Sequence, residues 1–423
     1  MTVTAPAFGG PSADDHPDLL AIAKSFETRI RAAEDYLETE HRIPLELANE
    51  LYDSGLWRTH MPRELGGLES DPVEWLDAVE EVSRINGSVG WLTFLHTGGT
   101  FMTPDTMAPI LAKERWITAG NVGRAAGKAK RVPGGYRISG RWPFASGAPE
   151  ANWLNGSSIL YDENDEIVLS PVDGNPWIVG AMFHRSDVAL IDTWDVLGLR
   201  GTGSCDFEVR DVFVPRAHVN ERGMHFLQYD RPLFRTWFNV MGHAAHALGL
   251  AKAAIEEYVK AANAKAAHGS RRQGRSGKDQ ANQLALGRAD AMVRSARLFA
   301  WDATREAYED AQTSSPVAFE LRVRTLEANV WAVQQAREAV ELLFHQAGTP
   351  ALFKGTALER IYRDILTAAQ HTLVHSNSID SVGEYLLTKD LPDGPQFDLS
   401  RLIFIMGPYP QTKKVKLPKL PDH

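Results

Sequence analysis

The amino-acid sequence predicts a mainly α-helical protein with one central β-domain. Two long regions carry apolar residues at 3-to-4 spacing, one ending near Ala112 and the other beginning near Leu233. Between them lies a stretch with paired glycines and period-two alternation, running from Gly134-Gly135-Tyr136 to Phe213-Val214-Pro215. A chain of 423 residues is long enough for two or three units with sizeable cores.

Taken in order, residues 1–17 are small and polar and read as a flexible arm, with neither the basic nor the apolar part of a signal peptide. Residues 18–115 form an N-terminal helical domain. Leu19, Ile22, Ala23, Phe26 and Ile30 share one helical face. Pro44 and Pro72 open further helices at a position where a missing N–H costs nothing, and Gly55 stops the first of these. Gly87-Ser88 is expected to break the helix from Pro72, ahead of a short apolar helix from Val89 to His96.

Residues 116–224 form the central β-domain, expected as a barrel. Gly134-Gly135 reads as a hairpin turn feeding a strand through Tyr136 and Ile138. Phe207, Val209, Asp211 and Phe213 repeat with period two before Pro215, predicting a second strand. Residues 225–395 then read as a four-helix bundle, with helices over 234–267, 278–311, 316–347 and from Thr356 to His375 or beyond. Helices of about 30 residues are about 45 Å long. Residues 396–423 form a C-terminal extension, whose apolar Leu402-Ile403-Phe404-Ile405-Met406 is expected to pack on the bundle or a partner subunit.

Composition sets limits on function. The net charge of −9 argues against nucleic-acid binding, which needs a basic face. No apolar run reaches the roughly 18 residues of a membrane span. A single cysteine, Cys205, excludes intrachain disulfides and cysteine-based zinc sites, and cytoplasm is the expected compartment. A phosphate-cradling P-loop is missing, and Gly201-Thr202-Gly203 leads into a strand, which defeats a dinucleotide-fold reading. The pairs His243/His246 and His371/His375 have helical spacing, but no Glu-x-x-His frame accompanies them, so no metal is expected. Ser146 lies in Trp142-Pro143-Phe144-Ala145-Ser146-Gly147, where its hydroxyl can meet a ring nitrogen of a planar ligand. The residues alone also allow it to be a turn serine.

The order of parts resembles the acyl-CoA dehydrogenase superfamily over roughly residues 18–390. Two segments carry the resemblance: Leu197-Gly198-Leu199-Arg200-Gly201-Thr202-Gly203-Ser204 with the strand after it, and Gln346-Ala347-Gly348 followed by Glu359-Arg360-Ile361-Tyr362-Arg363-Asp364. That fold encloses a flavin and is usually tetrameric. The segment that commonly holds a dehydrogenase's glutamate base reads Ala368-Ala369-Gln370-His371-Thr372-Leu373, and the loop before the β-domain reads Ile117-Thr118-Ala119-Gly120-Asn121. These replacements are similar to the oxygenase components of two-component flavin-dependent monooxygenases.

The resemblance implies reduced FMN or FAD supplied by a separate NAD(P)H-dependent flavin reductase, with O2 as co-substrate. A C4a-hydroperoxyflavin would then hydroxylate a small aromatic or heterocyclic substrate. It further implies catalytic roles for His371, Ser146, Asn121 and His96, with Ser146 near flavin N5 and His371 facing C4a. Trp142 and Phe144 would flank the ring. Arg271 or Arg272 would meet phosphate, and Gln346 and Gly348 would approach the cofactor. A homotetramer is expected. The alternatives are an FAD-dependent acyl-CoA dehydrogenase with its base elsewhere, and a scaffold that has lost its flavin.

Overall fold

The structure, a computed structural model, describes residues 17–391 apart from 100–101, 122, 124, 171–173, 222–228 and 268–279. Nearly all of the expected arm, the C-terminal extension with its apolar segment, and both Arg271 and Arg272 lie outside the described residues.

The N-terminal domain holds α1 (Leu19–Ser25), α2 (Glu27–Ala32), α3 (Glu34–Glu40), α4 (Leu45–Asp53), α5 (Pro72–Ile85), α6 (Gly87–Leu95) and α7 (Pro104–Leu111). Asp71 caps α5 by accepting from the Val73 and Glu74 amides, and Pro72 takes the first helical position. Trp75, Leu76, Val79 and Val82 then bury one face. The break after α5 falls at Asn86, whose Oδ1 accepts the Val89 amide at 3.2 Å and starts α6. Gly87 therefore sits inside α6. A Cβ there would come within 2.6 Å of Asp364 Oδ2, so this glycine serves close approach rather than a break.

The β-domain is one eight-stranded sheet: β1 (Thr118–Asn121), β2 (Gly127–Val132), β3 (Gly135–Ala145), β4 (Trp153–Tyr161), β5 (Ile178–His184), β6 (Ala189–Ile191), β7 (Cys205–Pro215) and β8 (Val219–Asn220). The order is β6-β7-β3-β2-β4-β5-β8, with β1 added parallel to β4. Among the described residues β6 and β8 do not pair, so the sheet ends are not joined by a ladder. The β2–β3 hairpin turns at Pro133-Gly134, with Gly134 at φ 78°. In β7 the expected alternation fails halfway. A bulge leaves Asp211 at φ 50°, and the register jumps between Gly140↔Val209 and Ile138↔Val212. One inserted residue exchanges the faces, so Val214 is buried and Phe213 is exposed.

Trp142 fills the middle of this domain. Its indole lies against Gly127, Gly140 and Gly156, where a Cβ would come within 2.5, 2.7 and 2.6 Å of ring atoms. It stacks on Phe207 at 4.8 Å and donates Nε1–H to the Ser157 carbonyl at 2.7 Å. The residue is fully buried, which places it in the core and not on the cofactor-facing wall expected of it.

The bundle comprises α8 (Gly242–Ala267), α9 (Gln280–Ala311), α10 (Phe319–Ala347) and α11 (Ala357–Ala368), followed by α12 (Asp380–Thr388). Two expected helix limits shift. Residues 232–241 form short 3-10 turns ahead of α8, whose first turn is satisfied when buried Asn329 accepts the Ala244 amide at 3.0 Å. Helix α11 stops at Ala368 instead of running through His375. The side chains of His371 and His375 accept the amides of Leu373 and Asn377, and these local bonds compete with helix continuation. Their spacing of four is therefore not that of one helix face.

The three parts meet at residues 198–204. Leu199 has φ 54°, and its amide donates to Asp364 Oδ1 of α11 at 2.6 Å. The Gly201 amide donates to Ser88 Oγ of α6 at 3.1 Å. The Gly147 amide, just past β3, donates to the Thr202 carbonyl at 2.8 Å. Asp364 is buried, and burial, opposed by the Leu199 amide, pushes its carboxyl up to about 7.

Two outcomes follow from this packing. Trp142→Ala is expected to destabilise the protein by about 3–5 kcal/mol, read from urea denaturation. A much smaller loss would remove the indole from the core. Protonated Asp364 favours the fold, because its folded value lies above the unfolded value of about 3.9. Its contribution is complete below about pH 4 and is lost as pH rises through about 7. The stability of wild type relative to Asp364→Asn should therefore decline across that interval and level off above it. Parallel pH profiles for the two proteins would contradict this assignment.

Candidate functional site

Trp91 of α6 is the point on which the candidate residues converge. Its Nε1–H donates to Ser146 Oγ at 3.1 Å. Around its ring stand His243, His246 and His371, with centroids at 5.2, 5.3 and 5.8 Å, and Phe94 at 4.9 Å. His243 and His371 lie only 4.4 Å apart. The N-terminal domain, the β-domain and the bundle each contribute a wall.

Ser146 is aimed by the end of β3. A register shift between Trp142 and Ala145 leaves Phe144 at φ 62°, unusual for a residue with a side chain. This turns Phe144 outward, 64% exposed, with its ring edge toward Trp194 at 6.3 Å. The half-buried Ser146 follows two residues later. Behind it runs a chain of hydroxyls, Ser146 to Ser204 at 2.7 Å and Ser204 to Thr202 at 2.6 Å.

The histidines are held neutral. Burial lowers His371 and His246 to about 4, and the Gly87 carbonyl that His246 Nε2 meets at 2.9 Å opposes the latter shift. His243 is driven well below the ordinary imidazole value by burial and then by the neighbouring His371 and His246. In His371, Nδ1 accepts the Leu373 amide, so the neutral ring carries its hydrogen on Nε2. His243 Nδ1 is buried and without a hydrogen bond. An exposed aromatic ring, a half-buried hydroxyl and an unanswered imidazole nitrogen together fit a flat heteroaromatic group with polar edges. Among the described residues no three His, Cys, Asp or Glu side chains converge as a metal site.

The remaining candidates are placed differently. His96, five residues beyond Trp91, is buried, lies tilted against Trp57 with ring centroids 4.5 Å apart, and backs Gly147, where a Cβ would lie 2.2 Å from its Nε2. Burial lowers it to about 4. Asn121 ends β1 opposite Gly156 of β4. Gln346 donates to Asn282 of α9 at 2.7 Å, and Gly348 caps α10 at φ 73°. Val374, next to the His371 turn, has its carbonyl held by Gln334, which lies twelve residues before Gln346 on α10. At 1.5 Å per residue Gln346 is about 18 Å further along the axis, so it and Gly348 do not join the Trp91 cluster. Sequence reading missed Trp91, Ser204 and Thr202 and named His246 only as half of a helically spaced pair. Trp91 reads as one more apolar residue of α6, and only the fold brings Ser146 to its N–H.

Two family models match the chain, the acyl-CoA dehydrogenase N-terminal domain over residues 15–119 and the C-terminal domain over 241–376. The pigment production hydroxylase of Rhodococcus erythropolis is 29% identical over 79% of this chain and 86% of its own length. The flavin-dependent monooxygenase oxygenase subunit HsaA of Rhodococcus jostii is 26% identical over 83% of this chain and 92% of its own. Among solved structures, 3-HSA hydroxylase from Rhodococcus sp. RHA1 superposes with a TM-score of 0.80 at 23% identity, covering 91% of this chain and 99% of that one. With both helical regions matched and the intervening sheet in the same arrangement of parts, the chain belongs to the acyl-CoA dehydrogenase family.

Proposed function

We propose that this chain is the oxygenase component of a two-component flavin-dependent monooxygenase that hydroxylates a small aromatic or heterocyclic compound. The observation that carries the reading is the buried cluster in which Ser146, Trp91, His243 and His371 meet from three parts of the chain. Relatives of similar length named as hydroxylases and as a flavin-dependent oxygenase subunit support it.

When bound, reduced flavin supplies the activation of O2 and delivers one oxygen atom to substrate. The residues present would serve that chemistry by holding and shielding. Ser146 would meet the ring edge, and the exposed Phe144 would flank a ring face. Trp91 and Phe94, 7% and 1% exposed, exclude water, which prolongs any reactive oxygen species. His371 carries its hydrogen at Nε2 and is suited to donating a hydrogen bond to a developing oxyanion. His96 supports the Ser146 turn from behind, and Asn121 is proposed for the same pocket.

An acyl-CoA dehydrogenase would need a carboxylate base. The stretch after Tyr362 offers Asp364, which accepts the Leu199 amide, and then His371 in place of a glutamate. This disfavours the dehydrogenase reading.

The finer assignments belong to the same proposal. Reduced FMN or FAD would arrive by diffusion from an NAD(P)H-dependent reductase, and Arg271 or Arg272 would meet its phosphate, with Gln346 and Gly348 nearby in the assembly. Exposed Leu284, Leu298, Trp331, Leu352 and Phe353 on and after α9 and α10 support burial within a homotetramer. A cytoplasmic location is proposed, and no helix among the described residues is long and apolar enough to cross a membrane.

Anaerobic titration with reduced flavin, followed by rapid mixing with oxygenated buffer, tests the reading. Tight binding of reduced flavin and a near-ultraviolet transient preceding the oxidised-flavin spectrum are expected. Tightly retained oxidised FAD that bleaches on adding an acyl thioester would favour the dehydrogenase instead. His371→Ala should lower hydroxylated product from a panel of phenols and indoles by about 10²–10⁴-fold while reduced-flavin binding persists. Unchanged coupling of oxygen to product would take His371 out of the mechanism.

A further inference from the structure

The hydroxyl chain behind Ser146 has a direction, set at its far end. The Leu199 carbonyl can only accept, and it has two lone pairs. Three donors reach it, Trp194 Nε1–H at 3.1 Å, the Thr202 amide at 3.1 Å and Thr202 Oγ1–H at 2.9 Å, and the hydroxyl must be the donor in its bond because the carbonyl has no hydrogen to give. A hydroxyl carries one hydrogen. Having given its own to Leu199, Thr202 must accept from Ser204, and Ser204 must in turn accept from Ser146. Trp91 Nε1 can only donate, and it fills one lone pair of Ser146. Ser146 is left with no hydrogen to offer and one lone pair to fill. Thr202 and Ser204 are 0% and 3% exposed, so water does not compete for these bonds.

We propose that Thr202 and Ser204 are positioning residues that lock the Ser146 hydroxyl as an acceptor, so that the site selects reduced over oxidised flavin. This rests on the reading that flavin presents its N5 edge to Ser146. Reduced flavin carries N5–H, a donor that the free lone pair of Ser146 accepts. Oxidised flavin offers a bare N5 lone pair, and two acceptors then face each other. The same pair of hydroxyls therefore favours capture of reduced flavin from a diffusing pool and release of oxidised flavin after turnover. No covalent change at Thr202, Ser204 or Ser146 is involved.

The test is anaerobic titration of the full chain with FMN and FAD, each reduced and oxidised. Wild type is compared with Ser204→Ala and Thr202→Val, and the readout is the ratio of the two dissociation constants. Ser204→Ala frees the Ser146 hydrogen to turn toward the flavin. Thr202→Val deprives Ser204 of its acceptor, so that Ser204 donates to Ser146 and drives the Ser146 hydrogen outward. In each variant the preference for reduced flavin should fall by about tenfold, the worth of one hydrogen bond. Equivalently, the two-electron potential of the bound flavin should fall by about 30 mV. An unchanged ratio, or parallel changes in both affinities, would overturn the relay and leave the oxygenase reading standing. Wild type that binds neither redox form would overturn both. Ser204→Ala removes one buried oxygen and no carbon, so it decides the matter if Thr202→Val does not fold.

Discussion

The structure depends on how residues 198–204 are held. Leu199 sits in a left-handed conformation that costs a side-chain-bearing residue about 1–2 kcal/mol. Its amide is answered by the buried carboxyl of Asp364, and its carbonyl is filled by Trp194 and Thr202. Gly198 packs so closely on α11 that a Cβ would meet the Arg363 carbonyl at 2.2 Å, and Gly201 meets Leu37 in the same way. One short segment is thus bonded to α6, to α11 and to the end of β3. The relative placement of the three domains, and so of Trp91, Ser146 and His371, follows from it.

Burial then decides the chemistry available in the cluster. Burial disfavours charge, so the three imidazoles are held neutral. Polarity is in turn fixed by groups that can only donate or only accept. The Leu373 amide sets the His371 tautomer, and the Leu199 carbonyl sets the hydroxyl chain. The hydrogen-bond polarity of the cluster is therefore set by the protein's own groups.

Much of this was legible in the chain. Apolar periodicity located α5 and the bundle helices, Pro44 and Pro72 marked helix starts, and Gly134-Gly135 marked the hairpin. The readings that failed share one cause, a local rule overridden by a partner distant in sequence or by a side chain bonding its own backbone. Trp142 looked like a ligand wall because it neighbours Ser146, yet three glycines on β2, β3 and β4 make its slot in the core. The His371/His375 spacing looked helical, yet each imidazole caps the turn that follows it. The period-two run of β7 continued on paper through Asp211, where a bulge exchanges its faces.

Sequence by itself determined the order of parts, because helical and strand periodicities are local properties that survive without knowing the neighbours. It also named Ser146 and, through the resemblance, His371 as candidates. Only the tertiary structure decided that Trp91 joins them and that the hydroxyls of Ser204 and Thr202 stand in line behind Ser146. It also decided that the histidines are neutral. Those facts depend on distance, burial and the direction of hydrogen bonds between residues up to 280 positions apart, from Trp91 to His371. No one-dimensional pattern encodes them.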